Sequence, residues 1–90
     1  MRPFIAVVHK DQGSAYGLSF RALPSCHAAA DEADALTAAA REALDLWFED
    51  APPVEPSPVE TIRAAAAADL RAGAFLLAVP YVPSPRRRRA

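Results

Sequence analysis

The chain has 90 residues, 52% of them hydrophobic, and a formal net charge of −1. That length accommodates one small domain with a thin core, because a chain of this size buries only about 60–65% of its unfolded surface. No apolar run approaches the roughly 20 residues of a membrane span, and no secretory signal is expected from Met1-Arg2-Pro3-Phe4. The single cysteine, Cys26, excludes an internal disulfide framework and a multi-cysteine zinc site, so a cytoplasmic protein is expected.

Phe4 to Val8 is a short apolar, partly β-branched run that predicts a first strand. The polar stretch His9 to Ser14 follows, and then Tyr16, Leu18 and Phe20 alternate on one face. This pattern predicts a β-hairpin with a loop of about five residues. Leu23-Pro24-Ser25 reads as a turn, and Cys26 to Ala30 as a weak third strand of small side chains. Gly17 lies inside the second strand, where a glycine suggests a bulge or the close approach of a bulky neighbour such as Trp47.

Asp31 is placed to cap a helix, with Glu32 and Asp34 favouring the dipole at that end. The helix runs to about Asp50, with Leu36, Ala40, Leu44, Trp47 and Phe48 on one stripe. Ala51 to Pro58 contains four of the nine prolines and predicts an extended connection. A second, short helix is expected over Val59 to Arg71. Its alanine stretch, Ala64 to Ala68, has little to bury. Gly73 stops it, and Ala74 to Val79 predicts a buried strand pairing with the first hairpin. Pro80, Pro83 and Pro85 end regular structure. The order β-β-β-α-α-β predicts an α+β fold: a small antiparallel sheet with one long amphipathic helix packed on one face. Residues 1–83 make the domain and 84–90 a basic disordered tail. A sheet with only one covering helix leaves a face or edge to protect, which predicts a homodimer or higher homo-oligomer.

Four of the ten basic residues are Arg86 to Arg89, which leaves six basic against eleven acidic residues elsewhere. An acidic body repels nucleic acid and suits a basic protein partner. The arginine run supports an alternative reading, an orphan regulatory protein making weak, salt-sensitive nucleic-acid contact through Arg86, Arg87, Arg88 and Arg89.

Catalytic chemistry finds little support. A metal-dependent nuclease needs acidic residues converging on its two metal ions, and the first strand, Phe4 to Val8, has no carboxylate. Neighbouring Cys26 and His27 point to opposite faces of a strand and do not form a nucleophile–base pair. His9 and His27 supply at most half a metal site. No phosphate-binding glycine motif is present. No catalytic residue, cofactor or metal is therefore expected. Trp47 and Phe48 suit the core, with a share in an oligomer interface as the functional alternative.

The stretches Phe4-Ile5-Ala6-Val7-Val8-His9-Lys10-Asp11, Ser14-Ala15-Tyr16-Gly17-Leu18-Ser19-Phe20, Leu23-Pro24, Ala40-Arg41-Glu42-Ala43-Leu44 with Trp47, and Gly73 to Pro80 resemble the HicB family of bacterial antitoxins. The resemblance covers roughly residues 3 to 82. It implies a non-catalytic domain with a partial RNase H-like fold. Its partner would be a small basic toxin, HicA, an mRNA-cleaving enzyme whose active site the antitoxin covers. The family commonly carries Pro-Asp before the Leu-Pro turn and a glycine after it, where this chain has Arg21, Ala22 and Ser25. Many members add a C-terminal DNA-binding module. The five residues after Pro85 cannot form one, so operator binding is not expected of this chain. The expected toxin-binding residues are His9, Asp11, Glu42, Asp45 and Glu49, the acidic ones offering an electrostatic complement to a basic RNA-binding toxin.

Overall fold

The run Phe4 to Val8 forms the middle of the fold because both of its faces find apolar cover. A computed structural model describes residues 2–10, 13 and 15–82. Its elements are β1 (Phe4–Lys10), β2 (Tyr16–Ser19), β3 (His27–Ala30), a 3-10 turn (Ala33–Ala35), α1 (Leu36–Glu49), α2 (Val59–Ala65), α3 (Ala67–Arg71) and β4 (Phe75–Val79). The strands make one antiparallel sheet in the order β3-β2-β1-β4. Strand β1 runs two residues past the apolar stretch because His9 and Lys10 pair with Gly17 and Tyr16.

Successive side chains of a strand face opposite ways. Phe4, Ala6 and Val8 therefore share one face with Leu18, Phe20 and Val79, and α1 covers it with Leu36, Ala40, Leu44 and Phe48. Phe4 anchors this core through Phe20, Phe48 and Tyr81, at ring-centroid distances of 6.4, 5.8 and 6.2 Å. Trp47 packs edge-on against Phe48 at 5.0 Å, and its indole N–H donates to Pro24 O at 2.8 Å. That bond ties α1 to the turn before β3.

On the other face, Ile5 and Val7 are buried under Ile62 and Ala66, with Leu70, Ala74 and Leu76 around them. This corrects the expectation of a single covering helix: the sheet is covered on both sides at β1, and only in part at β4. Ile62, Ala66 and Leu70 recur every four residues and form an apolar stripe. The expected single helix is also broken, at Ala66 (φ −103°, ψ 17°). The bonds Ala66 N–H to Ile62 O and Leu70 N–H to Ala66 O, both 2.9 Å, carry the stripe across the break. The uncovered part of this face lies over β2 and β3, at Gly17, Ser19, His27 and Ala29.

Three further expectations change. Asp31 caps no helix: a 3-10 turn intervenes, with Ala35 N–H donating to Glu32 O at 3.1 Å. Neither Glu32 nor Ala35 makes a side-chain cap bond at its helix start. The last strand is an edge strand, so Phe75 is 43% exposed rather than buried. Gly17 marks no bulge and no close approach. It pairs in register with His9 and Ala29, a Cβ there would meet nothing within 4 Å, and its face is the one away from Trp47.

Two backbone positions carry the turns. Gly73 ends α3 at φ +111°, a conformation that side chains disfavour. Ser25 sits at φ +65°, in the Leu-Pro-Ser turn closed by Leu23 N–H to Phe20 O and Cys26 N–H to Leu23 O. The left-handed residue is the one after Leu-Pro, so serine here occupies a position suited to glycine.

Candidate protein-binding surface

Helix α1 carries one basic residue and, on its outward side, Glu42, Asp45 and Glu49. The helix buries only its 36/40/44/48 stripe, and that choice leaves the carboxylates outward. Glu42 and Glu49 are exposed. Asp45 is half-buried and accepts the Tyr81 hydroxyl, which fixes α1 against the segment after β4. Arg41 Nη1 donates to Pro80 O at 3.0 Å on the same seam. With Asp31, Glu32 and Asp34 exposed before the helix and Asp50 after it, this side of the domain is strongly acidic.

His9 does not join that surface. It sits at the far end of β1 on the Ile5–Val7 face, across the sheet from α1. There its Nε2 lies 3.6 Å from Asp69 Oδ1, and Arg21 Nη2 donates to Asp69 Oδ2 at 2.5 Å. Asp69 of α3 thus bridges β1 and the turn after β2. No local sequence signal points to this carboxylate, because its partners lie 60 and 48 residues away along the chain. Asp11 and Arg86 to Arg89 lie outside the described residues.

Chemistry has no assembled site among the described residues: no three of His, Cys, Asp and Glu converge to hold a metal ion. Cys26 is buried under α1, with Sγ 3.8 Å from Ala43 O, and burial pushes its thiol pKa up. A thiol in that setting is a poor nucleophile. His27, its neighbour, is exposed on the opposite side. No helix among the described residues is long and apolar enough to cross a membrane. What the geometry offers is surface: an acidic helix side, an open strand edge at β3 and the shallow ground between them.

The model of a family described as the HicB-like antitoxin of bacterial toxin–antitoxin systems matches residues 4–79, from the start of β1 to the end of β4. In three dimensions the chain is similar to the crystal structure of the antitoxin HicB of Burkholderia pseudomallei. The TM-score is 0.74 and the identity 26%, over 99% of this chain and 68% of that one. No curated protein matches the chain in sequence. The matched span takes in the four strands and three α-helices of the described residues, and with it the chain belongs to the HicB-like antitoxin family.

Proposed function

We propose that this protein is the antitoxin of a bacterial toxin–antitoxin system and that it neutralises a small, basic, mRNA-cleaving toxin of the HicA type by covering its active site. The observation that carries this reading is the family match over the complete sheet-and-helix unit, residues 4–79. The acidic side of α1, where Glu42 and Glu49 are exposed, supports the choice of a basic partner. A toxin that binds RNA presents cations for the phosphate backbone. Carboxylates held on a rigid helix compete for those cations, speed encounter and favour one docking orientation. The antitoxin needs no catalytic group for this, since occlusion alone removes the toxin from its substrate.

The test is co-expression in cells with the HicA-type toxin proposed as its partner. Restored growth is expected, together with toxin that co-purifies with this chain at low salt and is released at high salt. Growth arrest that persists while this chain accumulates in folded form would overturn the reading.

A further inference from the structure

Helix α1 packs along one flank on β3, where the sheet ends. Strand β3 is the outermost strand, bonded to β2 on one side, and among the described residues no strand lies on its other side. Phe20 N–H donates to Cys26 O at 3.0 Å, just before β3. Antiparallel bonding alternates residue by residue along a strand. Ala28 and Ala30 therefore aim their backbone groups at β2, and His27 and Ala29 aim theirs outward. Natural edges are commonly blunted by lysine, proline or a bulge. The strand His27-Ala28-Ala29-Ala30 has none of these and pairs in unbroken register with β2.

Two separate shallow hollows lie beside that edge, between β3 and α1, and together form a groove. At one end Asp31, Glu32 and Glu42 surround an open hollow of about 450 Å³, with Ala35 and Ala39 in its floor. At the other end Leu46, 61% exposed, and Trp47 border a hollow of about 250 Å³ next to His27. Among the described residues, no lysine or arginine lines either hollow.

We propose that the open edge of β3 and this groove receive an extended, basic segment of the partner toxin, which adds a fifth strand to the sheet. The inference rests on the antitoxin reading above and names the surface that would serve it. Strand addition takes its affinity from main-chain hydrogen bonds and its specificity from pockets for alternate side chains. Here the outward groups of His27 and Ala29 supply the first. The carboxylates at one end suit a lysine or arginine, and Leu46 and Trp47 at the other suit an apolar side chain. A second copy of this chain fits less well. Pairing two such edges would bring the carboxylates of both grooves into one interface, and among the described residues neither groove holds a lysine or arginine to offset them.

The test is a binding titration between this protein and the purified HicA-type toxin proposed as its partner, made inactive by an active-site substitution. Ala29→Pro removes one outward N–H without touching the β2 ladder, since proline is tolerated where an edge N–H faces solvent. It is expected to raise Kd about tenfold, equivalent to ~1.4 kcal/mol. Glu42→Lys, on the exposed side of a helix, is expected to raise Kd about fivefold and to flatten its salt dependence. Glu60→Lys, on α2 away from the groove, is the charge control and is expected to change Kd less than twofold. Thermal melts of all three establish that the fold is kept. Wild-type binding that Ala29→Pro and Glu42→Lys both leave intact would overturn the groove and leave the antitoxin reading standing. A wild-type chain that does not bind the toxin would overturn both. A wild-type dimer that Ala29→Pro converts to monomer, with toxin binding unchanged, would assign the edge to a second copy and overturn the proposal.

Discussion

Ile62→Ala is the sharpest probe of the two-sided sheet. Ile62 is 3% exposed and is the one residue that α2 buries. The substitution removes three carbons, at about 0.8 kcal/mol each, and leaves a cavity over Ile5 and Val7 that raises the loss to about 3 kcal/mol. Helices α2 and α3 have seven and five residues. Isolated helices below about 12–15 residues are marginal in water, so this pair depends on the sheet for its structure. The Asp69 bridge to Arg21 is partly exposed and contributes at most about 1 kcal/mol, too little to hold the pair alone. The expected result is local release. In amide hydrogen exchange, protection falls across residues 61–72 while the amides of β1, β2 and α1 stay protected at low temperature. A uniform fall in protection over the whole chain would show that α2 and α3 are not a separable unit. No loss of protection at all would show that Ile62 is not holding them.

Ser25→Gly relieves a left-handed serine and is expected to raise stability by up to about 1 kcal/mol, seen as a rise of a few degrees in Tm; a lower Tm would contradict the strain argument. Trp47→Phe keeps the ring against Phe48 but loses the indole bond to Pro24 O, for an expected loss of about 1 kcal/mol by urea denaturation. Cys26 is expected to react with a thiol reagent only as fast as the protein unfolds. Because its folded pKa lies above the unfolded value, the folded state keeps the proton longer. Its contribution is fully present at neutral pH and is lost as pH rises through the unfolded and then the folded pKa. Denaturant midpoints measured across that alkaline range, against Cys26→Ser, check the sign.

Much of the fold is legible from period and punctuation. The hairpin follows from Phe4 to Val8, a polar loop, and the alternation Tyr16, Leu18, Phe20. The long helix follows from its four-residue stripe, and its stop from the proline-rich connection. What stayed hidden is the stripe Ile62, Ala66, Leu70. Its middle member is one of five consecutive alanines, so composition conceals the residue that packs flush on Val7 and Ile5. The position of β4 at an edge is a long-range fact, set by its pairing with β1 rather than by its own apolar run. For the candidate surface, Glu42, Asp45 and Glu49 share a side because helical spacing dictates it. His9 does not join them, and strand parity alone separates it: residues 4, 6 and 8 face α1, so 5, 7 and 9 face away. Asp69, which meets His9 and Arg21, had no local signature at all.

The central claim is toxin neutralisation, and an RNA-cleavage assay tests it most directly. A fixed amount of the purified HicA-type toxin proposed as its partner is titrated with this protein, and cleavage of a defined RNA is followed. Cleavage that falls to zero at a fixed stoichiometric ratio, with the inhibition weakened by salt, is the predicted result. Cleavage that continues unchanged at a large excess of this protein, shown to be folded in the same buffer, would contradict the account.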